Sequence, residues 1–458
     1  MKALQCVAAA CMVAILAGCS APAPTSRASL EWPTATRFND QGEAPPNAAA
    51  ALGWRDYFSD PQLRGLIERA LAGNRDLRLS RLAIEQAMAQ LGLRQAEQTP
   101  AIGVGLSAST APQASGSTLR TAASGIQLSA WEIDFFGRLA SLTESARAQV
   151  LASEEASRAA RLSLIASVAT AWLNLIADEE LLTLTDQTLA TREESLRLTK
   201  LRFDNGAASE IDFRQAQSLA EGARAVRAQQ MRQRALNRNA LALLLGAPGM
   251  DMDPLSVTRL ADVPLANLPA GLPSSVLTAR PDIRQAEQLL AAAQANIDAA
   301  RAAFFPRITL TGAFGSVSRD LSGLFAGGSW GLTAAPALIA PIFDGGRNRL
   351  VLDSARVARA TALTQYERSI QTGFREVSDA LAGRDTLQEQ LRAQSGVAQA
   401  EQARLELARL RYENGIASYL DLLDAQRSLF AASQAVIQTR LQLLQNQVLL
   451  FRALGAGV

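Results

Sequence analysis

The sequence predicts a mainly α-helical protein that contains two copies of one structural unit and a few β-strands. Residues 201–218 and 410–427 lie 209 positions apart and are identical at half of their aligned positions. Residues 138–203 contain neither Gly nor Pro, and their apolar residues recur at the helical spacing of three and four. Four shorter stretches alternate between apolar and small or polar residues, which is the period of a β-strand. Together these patterns predict an internally duplicated chain.

Composition excludes several kinds of chemistry. The 458 residues include no His, and the three Cys residues, at positions 6, 11 and 19, all lie near the N-terminus. The body of the protein therefore lacks the side chains for a Ser-His-Asp triad, an imidazole metal site or a thiolate cluster. The net charge is +2 and no basic patch is present, which argues against nucleic acid binding. We expect no enzyme activity, no cofactor and no metal.

The N-terminus predicts export and lipid attachment. Residues 1–18 have a Lys at position 2 followed by an apolar run, as a signal peptide does. The segment Leu-Ala-Gly-Cys at 16–19 resembles a bacterial lipobox, which implies cleavage before Cys19 and acylation of its thiol. The alternative is an ordinary signal peptide cut nearby. Acyl chains would hold Cys19 at a membrane, since each buried CH₂ group contributes ~0.8 kcal/mol. Residues 19–58 are predicted to be a lipidated tether rich in Pro, Ala and Thr.

The first structural repeat is predicted over residues 59–265. Two helices, the first beginning at Pro61, lead to strands at about 101–111 and 124–134. In the first of these strands Ile102 and Val104 lie on one face, and Gly103 and Gly105 lie on the other. A helical hairpin follows at about 138–246. Its first helix would be about 100 Å long at 1.5 Å per residue.

The second structural repeat is predicted over residues 266–458. Residues 280–306 match residues 74–100 at an offset of 206. Strands follow at about 307–318 and 329–340, and a second helical hairpin at about 345–454 has an offset of 209. Because several separate segments share this register, the duplication covers the whole helix–strand–strand–helix–helix unit.

Both hairpins have the same predicted tip. An Asn-Gly pair ends the first helix, because Gly readily takes the left-handed conformation of a helix C-terminus. A Ser three residues after the Gly caps the next helix, and an Asp three residues further on completes a capping box. The tip residues are Asn205, Gly206 and Ser209, followed by Asp212, and Asn414, Gly415 and Ser418, followed by Asp421.

The strands predict an oligomer. Strands of about ten residues can cross a bilayer when tilted, yet four strands cannot close a barrel and lipid tolerates no open sheet edge. Several chains would therefore pool their strands. Two chains give eight strands and a filled interior, whereas three give twelve and room for a lumen. The alternative is a soluble sandwich edge. After the N-terminus we find no apolar run of the ~20 residues that a membrane helix needs.

Five segments resemble a known family. They are WEIDFFGR (131–138), RPDIRQAEQ (280–288), ARAAFFPRITLTGAFG (300–315), PIFDGGR (341–347) and LLDAQR (422–427). In this order they are similar to TolC-type outer-membrane efflux proteins, and most of all to the lipidated outer-membrane components of resistance-nodulation-division (RND) pumps. The likeness covers essentially the whole mature chain.

This resemblance implies an assembly and a function. Three chains would form a homotrimer with a 12-stranded β-barrel in the lipid of the bacterial outer membrane and a long periplasmic α-helical barrel, all lipid-anchored. The trimer would be the passive, gated exit duct of a tripartite efflux pump for small molecules. Its partners would be a periplasmic adaptor protein, in contact with the six Asn, Gly and Ser tip residues, and an inner-membrane RND pump.

The resemblance also implies which residues close the duct. The gate residues would be Tyr412, Leu420, Asp421, Asp424 and Arg427, together with Asp212 in the first repeat. Asp421 and Asp424 share a helix face, so three chains would gather six carboxylates around one axis. The alternative is that Asp421 only caps its helix and Asp424 pairs with Arg427 on the surface. Some family members carry Arg where this chain has Ala417, so a lock of the closed state would differ here.

Two other functions stay open on the sequence alone. Related channels export proteins by type I secretion. A non-pore structural lipoprotein with coiled-coil arms would need no strands at all.

Overall fold

The computed structural model describes most of the chain after the N-terminal segment. The described residues are 53–114, 116, 118–249, 255, 259–266, 277, 279–319, 321–325 and 330–455. The predicted signal peptide, the predicted lipid site at Cys19 and most of the predicted tether lie outside them. The helices are α1 (Trp54–Tyr57), α2 (Pro61–Gly73), α3 (Arg75–Ala96), α4 (Arg138–Asp204), α5 (Glu210–Leu244), α6 (Pro281–Ala302), α7 (Arg347–Glu413) and α8 (Tyr419–Ala453). The strands are β1 (Ile102–Pro112), β2 (Thr118–Ile133), β3 (Arg307–Ser318) and β4 (Trp330–Ile339).

The helices repeat in length as well as in sequence. Helices α3 and α6 have 22 residues each, α4 and α7 have 67, and α5 and α8 have 35. At 1.5 Å per residue, α4 and α7 are each about 100 Å long. Each of these two packs along the helix that follows it, so both predicted hairpins are present.

The four strands form one antiparallel sheet in the order β1-β2-β3-β4. β2 joins the two repeats by pairing with β3, with a bulge between Leu128 and Trp131. The predicted start of β2 at 124 is wrong. The strand begins at Thr118, because residues 118–123 continue the ladder by pairing with residues 107–112 of β1. The sheet contradicts the alternative of a strand-free coiled-coil lipoprotein.

The two faces of the sheet differ in chemistry. Directly paired residues lie on the same face, so rows across the strands can be compared. One row is apolar and exposed: Val104 (88%), Ile126 (50%), Phe314 (51%) and Leu332 (77%). The next row lies on the opposite face and consists of glycine in every strand: Gly105, Gly125, Gly315 and Gly331. The small second face that was predicted for β1 therefore extends across all four strands at this level.

The helices form a layer that is open at both edges, like the sheet. Near the strands the order of contacting helices is α3–α4–α6–α7, and towards the hairpin tips it is α5–α4–α8–α7. Within the described residues α7 has no extended contact with α3 or α5. One chain therefore exposes a free edge of strands and a free edge of helices on each side.

A core forms where the residues before α2 meet the end of α8. Tyr57 and Phe58 are fully buried, and their rings lie 4.6 and 5.2 Å from the ring of Phe451. The Tyr57 hydroxyl donates to the Gln447 carbonyl at 3.0 Å. The tether prediction is therefore wrong at its C-terminal end, because residues 53–58 bury large aromatic side chains in the folded body.

Helix α4 contains an apolar window of 18 residues that passes the length and composition test for a membrane span, which the sequence analysis missed. Of this window, 56% is buried inside the protein. Trp172 and Ile176 of α4 are fully buried. The apolar character of α4 is thus accounted for by its contacts with five other α-helices.

Candidate functional site: the tips of the two helical hairpins

The two hairpin tips adopt the same turn. Gly206 and Gly415 have φ values of 73° and 72°, which is the left-handed region. The N–H groups of Gly206 and Ala207 donate to the carbonyls three and five residues earlier, at 2.9 and 2.7 Å, and the second tip repeats both bonds at 3.0 and 2.8 Å. The side chains of Asn205 and Asn414 each donate to the carbonyl four residues earlier at 2.7 Å. This is a Schellman motif, and the predicted helix ends are confirmed.

Both predicted capping boxes are present. The N–H of Asp212 donates to Ser209 Oγ at 3.2 Å, and the N–H of Ser209 donates to the Asp212 carboxylate at 3.2 Å. Ser418 and Asp421 form the same pair of bonds at 3.1–3.2 Å. The carboxylates of Asp212 and Asp421 therefore satisfy backbone donors at the first turns of α5 and α8.

Asp424 is bound by two arginines. Arg404 of α7 donates to its Oδ2 atom at 2.7 Å, and Arg427 donates to its Oδ1 atom. The hydrogen bond from Arg404, and then that from Arg427, lowers the pKa of the Asp424 carboxyl below its ordinary value. Both contacts of the alternative interpretation, the Asp421 cap and the Asp424–Arg427 pair, are thus present within one chain.

Arg404 was missed by the sequence analysis, although a signal for it exists. Arg404 and Asp424 each lie ten residues from Asn414 at the tip. An antiparallel hairpin brings positions that are equally far from its turn to the same level. Opposite charges at such mirrored positions predict the cross-hairpin ion pair that is observed.

Two tyrosines connect the second hairpin to α4. The Tyr412 hydroxyl accepts a hydrogen bond from Arg202, and the hydroxyls of Tyr419 and Ser195 are 2.6 Å apart. The two tyrosine ring centroids are 5.4 Å apart. Tyr412 was a predicted gate residue, whereas the other three were missed. No sequence signal places Ser195 beside Tyr419, because they belong to different repeats.

The family model of the outer membrane efflux proteins matches the chain twice, over residues 66–247 and 272–456. This chain belongs to that family. The two matches correspond to the two structural repeats. The efflux protein is therefore an outer membrane component of an efflux pump.

Named relatives agree with this assignment over nearly their full length. The efflux protein is 43% identical over 455 residues to the antibiotic efflux pump outer membrane protein ArpC of Pseudomonas putida, covering 97% of this chain and 93% of the relative. It is 42% identical over 463 residues to the outer membrane protein OprJ of Pseudomonas aeruginosa, with 98% and 95% covered. Its fold is similar to the open state of the Neisseria gonorrhoeae MtrE outer membrane channel (TM-score 0.83, 37% identity, 92% and 95% covered).

In the first tip of the efflux protein, an aromatic contact joins α4 to α5. Phe203, the counterpart of Tyr412, stacks on Phe213 with ring centroids 5.5 Å apart. Gln215 stands where the second repeat has Asp424. The first tip thus lacks both the tyrosine hydroxyl and the arginine-bound carboxylate of the second.

The second tip of the efflux protein exposes apolar and charged side chains together. Leu420 is 57% exposed and Ile416 is 68% exposed. The side chain of Arg427 is 67% exposed while it holds Asp424. Apolar exposure at the end of a long helical arm is suited to contact with another chain.

Proposed function

We propose that three copies of this efflux protein form a closed, gated duct through which small molecules leave the periplasm. The open edges of both layers carry this proposal. A sheet edge exposed to lipid leaves backbone N–H and C=O groups without partners, so β1 of one chain would pair with β4 of the next. Two chains would supply eight strands and a filled interior, whereas three supply the twelve that leave a lumen.

The chemistry of the sheet sets its orientation in this assembly. The row of Val104, Ile126, Phe314 and Leu332 would face lipid. The glycine row would face the lumen and leave it wide at that level. Trp131 and Trp330 lie towards the ends of their strands, where aromatic side chains suit the membrane interface.

The gate would lie at the second hairpin tips. Three chains would bring Leu420, Asp421 and Asp424 around one axis, where six carboxylates repel each other and attract cations. Arg427 and Arg404 would offset this repulsion and hold α7 and α8 together. Tyr412 would tie the second hairpin to α4, and Asp212 would fix the first tip beside it. The Arg404 contact would supply a lock that needs no Arg at position 417.

The remaining partners follow from the family. The tip residues Asn205, Gly206, Ser209, Asn414, Gly415 and Ser418 would contact a periplasmic adaptor protein, which links the duct to an inner-membrane RND pump. Acylation at Cys19 would anchor each chain in the outer membrane. The efflux protein itself would have no catalytic role and no cofactor.

Single-channel recording in planar lipid bilayers tests the duct and its gate. The purified wild-type protein should conduct weakly, and Asp424→Asn should raise the conductance several-fold because it removes the carboxylate that Arg404 and Arg427 hold. The matched control is Asp353→Asn, which breaks an ion pair of the same spacing with Arg356 (3.0 Å) far from the tips.

Two outcomes separate the parts of this proposal. Equal conductance of the Asp424→Asn and Asp353→Asn variants would overturn the gate while leaving the duct intact. Absence of any conductance, even after both Asp421 and Asp424 are changed to Ala, would overturn the duct itself.

Small molecules are favoured over secreted proteins as cargo because relatives are named for antibiotic and toluene efflux. A strain that lacks its own outlet should regain resistance to such compounds when it expresses this chain with the matching adaptor and pump. Restored secretion of a type I protein substrate without restored resistance would instead favour the secretion alternative.

A further inference from the structure

A cavity of about 240 Å³ lies between the two hairpins, where α4 meets α7 and α8, and its lining includes apolar side chains (Leu184, Leu405, Leu429 and Phe430) as well as polar ones. Arg192, which lines it, lies 12 residues before the end of α4. At 1.5 Å per residue, this places the cavity about 18 Å from the tip. Its polar lining is made of amide and hydroxyl side chains together with one arginine, Arg192. The uncharged polar residues of the lining are Gln187, Thr188, Thr191, Gln402, Gln426 and Ser433.

Arg192 is a buried cation in the wall of this cavity. It is only 7% exposed, and its guanidinium lies over the ring of Phe430 at 5.2 Å from the centroid. One Nη atom donates to the Leu219 carbonyl of α5 at 3.2 Å. Its Nε donor is buried and has no hydrogen-bond partner among the described residues.

No carboxylate in the described part of the chain pairs with Arg192. The two acidic residues next to it in sequence are already engaged, Glu193 with Arg224 at 2.8 Å and Glu194 with Arg197 at 2.7 Å. Burial lowers the pKa of Arg192, and no acidic neighbour opposes that shift. Even so, an arginine keeps its proton at neutral pH, so the buried charge persists.

A second buried arginine, Arg280, differs from Arg192 because carboxylates neutralise its charge. Arg280 is 6% exposed, and it pairs with Asp282 at 2.7 Å and with Glu376 at 2.8 Å. A buried charge without a partner is costly, because desolvation is not offset by Coulomb attraction. Arg192 has the burial of Arg280 but lacks its two carboxylates.

We infer that the cavity beside Arg192 binds a small monovalent anion of halide size, with chloride the abundant candidate. The site carries a single positive charge, which one monovalent anion neutralises. A volume of about 240 Å³ holds that anion with several waters, at about 30 Å³ each. Gln426 also lines the cavity, and its Oε1 atom is buried without a hydrogen-bond partner among the described residues.

The anion would bridge the two hairpins. Arg192 belongs to α4 of the first hairpin, whereas Gln402 and Gln426 belong to α7 and α8 of the second. All of these residues come from one chain, so the inference stands whether or not the chain forms a duct. Bound chloride would stabilise the contact of α4 with α8 above the tips.

Crystals of the purified full-length protein grown or soaked in sodium bromide test the site directly. We expect a bromine anomalous peak within hydrogen-bonding distance of the Arg192 guanidinium in every copy, and none in Arg192→Gln. A cavity that holds only ordered water, in crystals that show bromide elsewhere, would overturn the inference.

Thermal unfolding tests the same site at lower anion concentration. Replacing sodium gluconate by sodium chloride at constant ionic strength should raise the wild-type midpoint on the order of 2–4 °C. The exposed Arg197→Gln variant serves as the matched control and should keep this response, whereas Arg192→Gln should lose it. An equal chloride response in all three proteins contradicts the site. If Arg192→Gln does not fold, the bromide experiment on the wild type still decides.

Discussion

Asp424 has the most distinctive electrostatic environment of the hairpin tips. Arg404 and Arg427 lower its pKa, so their contacts add stability that is present above the unfolded pKa of about 3.9. That stability is lost as the pH falls through the lower pKa of the folded state. The ion pairs should therefore persist through mildly acidic conditions, and an arginine-held gate should open only at still lower pH.

This pH dependence can be measured as bilayer conductance during titration. The wild type should show a rise in conductance only below about pH 4. Arg404→Gln removes the larger cause of the lowered pKa, so its rise should begin at higher pH. Identical titration curves for the two proteins would contradict the proposed role of Arg404.

The glycine row makes a second prediction at the residue scale. A Cβ atom on Gly315 would lie 2.1 Å from the Ser124 carbonyl oxygen, whereas one on Gly331 would meet no atom within 4 Å. Gly315→Ala should destabilise the sheet by about 1–3 kcal/mol, the usual range for overpacking. Gly331→Ala, its control, should be nearly neutral.

The midpoint of heat-induced loss of β-structure, followed by circular dichroism, checks this pair of variants. Equal midpoints for Gly315→Ala and Gly331→Ala would contradict the predicted clash between a Cβ atom at position 315 and the Ser124 carbonyl oxygen.

Sequence reasoning performed well for residues whose partners are close along the chain. The Ser418–Asp421 cap was predicted because both its donor and its acceptor lie within one helical turn. The Ser195–Tyr419 contact was not predicted, because its partners are 224 residues apart and meet only after the hairpins pack.

At the element scale, the capping boxes should stabilise the first turns of α5 and α8 against fraying. Ser418→Ala removes the Oγ acceptor of the Asp421 N–H and should cost roughly 1 kcal/mol. Amide hydrogen exchange at the start of α8 should then accelerate about fivefold, because 1 kcal/mol corresponds to that factor.

The control for this prediction is Ser369→Ala in the middle of α7. Ser369 donates only to the Gln365 carbonyl of its own helix at 2.9 Å, and Ala has the higher helix propensity. Exchange around residue 369 should stay the same or slow down. Unchanged exchange in the Ser418→Ala tip would show that the box contributes little.

The tie between the two hairpins can be tested with a substitution that the fold already tolerates. Tyr412→Phe removes the hydroxyl that accepts from Arg202 but keeps the ring, and Phe203 occupies the equivalent position of the first repeat. We expect higher bilayer conductance than for the wild type, with an unchanged circular dichroism spectrum. A conductance equal to that of the wild type would assign Tyr412 to packing alone.

Element boundaries were predictable where local chemistry sets them. The Gly at each tip predicted the C-terminal ends of α4 and α7, and the Ser after it predicted the starts of α5 and α8. The start of β2 was not predictable, because residues 118–123 show no apolar alternation and only their pairing with β1 makes them a strand.

At the scale of the whole molecule, the open edges predict the oligomeric state. The mass of the detergent-solubilised protein, measured by light scattering with the detergent contribution subtracted, should be three times that of one chain. A twofold mass would instead indicate eight strands and a filled interior, which contradicts the duct.

The sequence alone determined the duplication, the long hairpins, their tips and the family, because each rests on local patterns or on ordered motifs. The tertiary structure decided what depends on distant residues. It placed residues 53–58 in the core, joined the glycines of four strands into one row, and paired Arg404 with Asp424. It also buried Arg192 between hairpins from different repeats, away from any carboxylate partner among the described residues. Burial and pairing across repeats arise only from packing, and no local period in the chain encodes them.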